Sequence, residues 1–301
     1  MNVLITGGSG LLGSAISLYF KDYFNVTSTY TAHKVIIDGC KSAYLDITDA
    51  KATAELINKI KPKFILHTAA LVGINICEKE TALAYNINVT GTKNIVNAAK
   101  SANAKTIYIS TDYVFDGKKG MYKESDEANP INYYGKTKFE GERLIEINNN
   151  VIVRTSIYGW NIVPGKKSFS AWIIDELSNN KQINVFSDQF NSMMLANDCA
   201  EFFKEIVDKD LSGIINIASS EKISKYDFAV KLAEIFNLDK ELINPVKNRD
   251  VVGYEKRPLD VSLDITKSKR WLKTKATKAN EEINKMKDLK DKGYLNNFKV
   301  V

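Results

Sequence analysis

The chain has 301 residues, 44% of them hydrophobic and 26% charged, which excludes a disordered or fibrous protein and leaves one large globular domain or two that share an interface. Its net charge of +6 comes largely from a lysine-dense stretch after Lys267 that is interleaved with acids at helical spacing, so a solvated helical face is expected there rather than a nucleic-acid surface. Cys40, Cys77 and Cys199 are far apart, and His33 and His67 are the only histidines, so neither a disulfide framework nor a metal site is expected.

The first twenty residues read MNVLITGGSGLLGSAISLYF. The spacing predicts a strand over Val3–Ile5 that ends at Thr6, and a helix over Leu11–Phe20. No basic residue precedes the apolar part and the first lysine is Lys21, so the stretch is not read as a secretory leader. Between strand and helix stand Gly7, Gly8, Gly10 and Gly13. In the GxxGxxG spacing, Gly7 permits a tight turn, Gly10 lets backbone approach a pyrophosphate, and Gly13 lets the helix pack closely on the strand. Phosphate oxygens would then meet the free N–H groups at the helix start, where Leu11 and Leu12 lie. The spacing differs by one residue from GxGxxG.

FNVTSTY follows as a β-rich run. An NAD site usually carries an acid after this second strand, to hold the ribose 2′-hydroxyl. STYTAHKV has none there. Thr29, Thr31, His33 and Lys34 would instead accommodate a 2′-phosphate, which favours NADP(H) and keeps NAD(H) as the alternative; the bland reading of His33 and Lys34 is an exposed loop. Asp46 and Ile47 stand where a third strand should end, and Asp46 either bonds an adenine amine or caps the next helix. That helix is predicted from Asp49 to Ile60, with Ala52, Leu56 and Ile60 at intervals of four.

FILHTAA reads as a strand, Thr81–Lys100 as a long helix, TIYIST as a buried strand, Tyr134–Ile147 as a helix and VIVRTS as another strand. Helices are also expected near Phe169–Leu177 and Asp198–Val207, then a strand GIINIAS and the amphipathic helix ISKYDFAVKLAEIFNL. Continuous apolar strands alternating with helices predict an α/β fold with a Rossmann-type, doubly wound parallel sheet buried on both faces. No apolar stretch is long enough to span a bilayer.

In NYYGKTKFEGE, Tyr134 and Lys138 lie four residues apart and share one helix face. A free phenol has a pKa of about 10. An adjacent ammonium is expected to lower it, which suits proton donation to a carbonyl oxygen. Upstream, ISTDYVFDG ends a strand, and either Ser110 or Thr111 would donate a hydrogen bond to the same carbonyl, since side chains alternate there.

Taken together, TGGSGLLG, STDYVFDG and YGKTKFEGE resemble the extended short-chain dehydrogenase/reductase superfamily, in particular its dTDP-4-dehydrorhamnose reductase group. Softer matches are HTAA, NINVTGT, VRTSIYG, DQFNSMMLANDCA and KRPLDVSLD, so the resemblance runs over about residues 1–265. It implies a Thr111, Tyr134 and Lys138 triad, a cofactor loop of Gly7, Gly10 and Gly13, and Ala69 and Ala70 lining the cofactor through their backbone. Asn88 would support the hydrogen-bond network of the site or serve structure alone. Asp112, Tyr113 and Phe115 would lie near the substrate, and Arg257 on the nucleotide-sugar side or in a surface ion pair. Many relatives carry tryptophan where this chain has Ile157, so the sugar pocket differs.

The resemblance further implies NAD(P)H-dependent reduction of a 4-keto nucleotide sugar in surface-polysaccharide biosynthesis. It implies a dinucleotide-binding domain at 1–155 plus about 195–217, and a smaller substrate-binding domain at about 156–194 and 218–301. A cytoplasmic enzyme, a homodimer and no membrane or nucleic-acid partner are expected. Two rivals share the same residues: an epimerase or dehydratase that retains its cofactor, and a non-catalytic regulatory subunit like the beta subunit of methionine adenosyltransferase.

Overall fold

The structure is a computed structural model that describes residues 1–248 and 257–301. Seven strands form one parallel sheet, in the spatial order Gly213–Asn216, Val151–Arg154, Lys105–Ile109, Phe64–His67, Asn2–Thr6, Asn25–Tyr30 and Lys41–Tyr44. Strand order reverses between Asn2–Thr6 and Phe64–His67. The crevice at the carboxyl ends of these two strands is where a doubly wound sheet binds its ligand.

The central strands are apolar throughout because helices cover both faces. On one face Leu12, Ile16 and Phe20 of the helix Leu11–Phe20 join Phe202, Phe203 and Ile206 of the helix Ala196–Asp208. On the other, Ile57 and Ile95 meet Leu4 and Ile65. A further core gathers Tyr158, Ile173, Phe228 and Leu232 with Ile283 and Met286 of the helix Ala279–Asp291. That lysine-bearing helix is anchored by Glu282, a fully buried carboxyl that accepts the Leu195 N–H at 2.7 Å. Burial pushes the carboxyl up to about 8.

Three local differences from the sequence reading have physical causes. The long helix expected over 81–100 contains a π turn at Asn86–Gly91, between the α-helical runs Thr81–Tyr85 and Thr92–Ser101. The π turn coincides with Asn88, whose side chain bonds other elements, and with Gly91, which rests on Ile47. The helix expected over 134–147 ends at Glu142, where the carboxylate is drawn inward to Arg154. Finally, Val35–Ile37 pairs antiparallel with Phe298–Val300, a contact across the length of the chain that no local pattern announces.

Candidate active site

The glycines of the loop sit in different surroundings. Gly7 has φ +69°, and a Cβ there would stand 2.7 Å from the Ala69 Cα. A Cβ on Gly13 would strike the Gly7 carbonyl, so this glycine sets the close approach of helix and loop. Gly10 differs: a Cβ would have a single neighbour, the Gly7 carbonyl oxygen at 3.1 Å. Internal packing therefore does not demand a glycine there. Among the described residues no side chain caps the helix that starts after Gly10. Asp49, Asn132, Ser168 and Ser224 each cap their own helices, while the helices Ala196–Asp208 and Ala279–Asp291 also start without a side-chain cap. An open, uncapped helix start behind a glycine turn fits a dinucleotide pyrophosphate.

Around this loop the expected cofactor residues divide. Ala69 lies against Gly7, with its N–H on the Thr6 hydroxyl at 3.3 Å, and Ala70 continues that segment. Leu11 and Leu12 begin the helix, Leu12 turned into the core. His33 and Lys34 lie in the loop beyond the second strand, where Lys34 is exposed. Thr29 does not reach outward as a 2′-phosphate ligand. Its side chain is buried and accepts the Gly7 N–H at 3.3 Å, because strand alternation turns it under the glycine loop. Thr31 donates to the Leu45 carbonyl at 3.2 Å. Asp46 is not a helix cap. It folds back on Thr48, accepting its N–H and hydroxyl at 2.9 and 2.7 Å, while Asp49 caps the helix. The Ile47 side chain is a core group beneath Gly91, and its carbonyl is held by Asn94 at 2.9 Å.

Thr111 and Tyr134 meet. The Thr111 hydroxyl pulls the Tyr134 phenol down in pKa, and the ring of Tyr113 stands edge-on to Tyr134 with centroids 6.3 Å apart. Ser110 faces the other way and donates to Glu142 at 2.5 Å, which settles the choice the alternation left open. The helix Tyr133–Glu142 is pinned at its start by Asn132, which accepts the Gly135 N–H, and by Glu78, which accepts the Tyr133 N–H at 2.7 Å. Asn88 ties this helix to the segment after Ala70. Its carbonyl oxygen accepts the Leu71 N–H at 2.8 Å, and its amide donates to the Leu71 carbonyl at 3.0 Å and to Thr137 at 2.9 Å.

The electrostatics correct one expectation. Burial raises the Tyr134 phenol above its ordinary value, and Asp112, Cys77 and Tyr113 push the same way; only Thr111 pulls it down. Lys138 lies one helical turn on from Tyr134. The lysine is buried, its ammonium lies 4.1 Å from the centroid of the Tyr108 ring, and desolvation brings its pKa down to about 7 in spite of Glu142 one turn on. His67, behind it, is held neutral by burial and by Lys138 at a pKa of about 3, between the hydroxyls of Thr6 and Thr92. The phenol thus stays protonated at neutral pH, as a proton donor must.

Asp112 is 2% exposed beside Thr111, and Tyr113 is half-buried against Tyr134. Phe115 is not a substrate contact. It is fully buried, stacked on Tyr122 at 4.2 Å under the Arg154 guanidinium. Arg257 crosses to the helix Ile74–Lys79, where it donates to Asn75 at 3.2 Å. Ile157 packs on the sheet core. The match KRPLDVSLD begins at Lys256, which lies outside the described residues.

Sequence reasoning missed several neighbours. Glu142 makes a two-point ion pair with Arg154 at 2.7 and 3.0 Å and also holds Ser110, so it joins the tyrosine helix to two strands. Its place four residues after Lys138 was the signal available. Cys77 sits near Tyr134, and Lys225 near Asp112, without any motif to announce them. A cavity of about 510 Å³ opens around Phe190, Lys222 and Tyr226 and includes none of the candidate catalytic residues, so volume alone is a poor guide here. Among the described residues no group of His, Cys, Asp or Glu is placed to hold a metal, and no helix is long and apolar enough to cross a membrane.

Comparison with known proteins agrees with this geometry. Residues 1–291 match the model of a family described as RmlD substrate binding domain. The chain is 31% identical over 279 residues to a dTDP-4-dehydrorhamnose reductase of Aggregatibacter actinomycetemcomitans, covering 88% of this chain and 91% of that one. It is also 31% identical over 274 residues to a methionine adenosyltransferase 2 subunit beta of Xenopus tropicalis, covering 88% and 80%. A solved dTDP-4-dehydrorhamnose reductase of Bacillus anthracis in complex with NADP superposes with a TM-score of 0.83 at 27% identity, covering 95% and 98%.

Proposed function

This chain belongs to the RmlD substrate binding domain family, and we propose from that premise that it is an NAD(P)H-dependent reductase of a 4-keto nucleotide sugar. The observation that carries the reading is the meeting of the Thr111 and Tyr134 hydroxyls beside an uncapped helix start and its glycine loop. The NADP bound by the Bacillus anthracis relative supports NADP(H) for this chain, with His33 and Lys34 at the 2′-phosphate.

The division of labour follows from the side chains. A bound NADPH supplies the hydride for the carbonyl carbon. Tyr134, kept protonated by its dry surroundings, gives its proton to the carbonyl oxygen. Thr111 donates a hydrogen bond to that oxygen as negative charge develops, a contribution of roughly 3 kcal/mol in comparable sites. Lys138, poised near neutrality, stabilises the phenolate left behind and bonds the cofactor ribose. Asn88 fixes the tyrosine helix against the Leu71 segment. Asp112, Tyr113 and Arg257 face the sugar nucleotide.

We assign residues 1–155 and about 195–217 to cofactor binding and about 156–194 and 218–301 to substrate binding. Free thiols at all three cysteines suit a reducing cytoplasm, and a homodimer is the expected assembly. The likeness to the Xenopus chain favours one second reading, a subunit that acts by binding a methionine adenosyltransferase.

Purified protein offered a panel of 4-keto nucleotide sugars is expected to oxidise one NADPH per product formed, with NADPH bound more tightly than NADH. Product without net NADPH oxidation would assign an epimerase. No turnover on any of the sugars, with stable capture of the synthetase, would assign the regulatory subunit.

A further inference from the structure

A threonine hydroxyl has one hydrogen to give and two lone pairs. At Thr111 one lone pair accepts the Tyr113 N–H at 3.2 Å, and the hydrogen goes to Asp112 Oδ1 at 3.0 Å. Asp112 is 2% exposed. The groups that face it come from three elements: the Ser156 hydroxyl just after the strand Val151–Arg154, the Lys225 ammonium at the start of the helix Lys225–Phe236, and the Tyr134 phenol. A carboxylate only accepts, so an ionised Asp112 takes the Thr111 hydrogen and leaves none for a substrate oxygen. A protonated Asp112 is itself a donor. It fills the second lone pair of Thr111 and frees the Thr111 hydrogen.

We propose that Asp112 is a positioning residue whose proton sets the direction of the hydrogen-bond chain running through Thr111 to Tyr134. With the acid protonated, the chain points toward Tyr134 and the substrate oxygen; with the carboxylate, it points away. Asp112 gains and loses no proton in turnover, since only the orientation of hydroxyl hydrogens changes. Burial raises its pKa to about 6, against the pull of Thr111, Ser156 and Lys225, so both states lie within the working range of pH. The sign follows: the active orientation is fully present below that pKa and is lost as pH rises through it. This effect on rate rests on the reductase reading; the Asp112–Thr111 coupling does not.

Two measurements test it. The first is the titration of the Asp112 carboxyl carbon by ¹³C NMR in substrate-free protein. Thr111→Val removes the donor to the carboxylate and is expected to raise the Asp112 pKa by about one unit, whereas Thr111→Ser restores it. An unchanged pKa in the valine variant overturns the coupling, whatever the protein catalyses. The second is the pH profile of kcat. The wild-type rate is expected to fall about tenfold per pH unit above the Asp112 pKa. That limb is expected to vanish in Asp112→Asn, whose amide donates to Thr111 at every pH. A limb that persists in the asparagine variant with its midpoint still near 6, below the range where Lys138 loses its charge, overturns the switch, while wild-type protein inactive on every keto sugar contradicts the reductase reading and leaves the NMR result to decide the coupling.

Discussion

Tyr134→Phe is expected to yield a folded protein that binds NADPH yet turns over roughly a thousandfold more slowly, within the range for loss of a positioned general acid. The substitution removes one oxygen and no ring surface. Tyr134 keeps its edge-on contact with Tyr113, and the helix retains its Asn132 and Glu78 anchors. What disappears is the proton donor beside Thr111. Tyr133, the neighbouring phenol, is one residue earlier on the helix and so faces about 100° away from Tyr134, which makes it a poor substitute. The checks are circular dichroism, NADPH fluorescence titration and single-turnover reduction. A rate within tenfold of wild type would remove Tyr134 from the chemistry.

Gly10→Val is expected to have the next largest effect, and on a different quantity. Backbone at Gly10 is extended, at φ −82° and ψ 168°, a conformation open to valine. A Cβ there would meet only the Gly7 carbonyl oxygen, at 3.1 Å, so thermal stability should change by a few degrees at most. The added methyl groups would project into the space reserved for phosphate, and NADPH affinity should fall about a hundredfold or more, equivalent to roughly 3 kcal/mol. Gly13→Val provides the contrast. Its Cβ would collide with the Gly7 carbonyl and the Thr68 hydroxyl, so loss of fold is expected before loss of cofactor. If Gly10→Val bound NADPH as wild type does, the glycine loop would not be the pyrophosphate site.

The parts of the molecule that were legible in advance are those fixed by local rules. Apolar runs such as VLIT and FILH announced strands covered on both faces, and their alternation with helices announced the parallel sheet. Glycine spacing after the first strand gave the loop, and the four-residue interval gave the tyrosine–lysine face. What the sequence left hidden depends on contacts between distant segments. Phe115 looked like part of a site motif but is held in the core by Tyr122 and Arg154. Thr29 looked exposed because its neighbours are polar, yet its strand turns it under Gly7. The Lys138 ammonium stands over the ring of Tyr108, a residue of another element, and one-dimensional spacing carries no such information.

The most direct test of the account is the fate of an isotopic label. With NADPH deuterated at the transferable position of the nicotinamide and a 4-keto nucleotide sugar, the product is expected to carry one deuterium at the new carbinol carbon, with one NADPH oxidised for each. Product without deuterium, or unreacted sugar alongside fully bound NADPH, would contradict the claim that Thr111, Tyr134 and Lys138 form a reducing site.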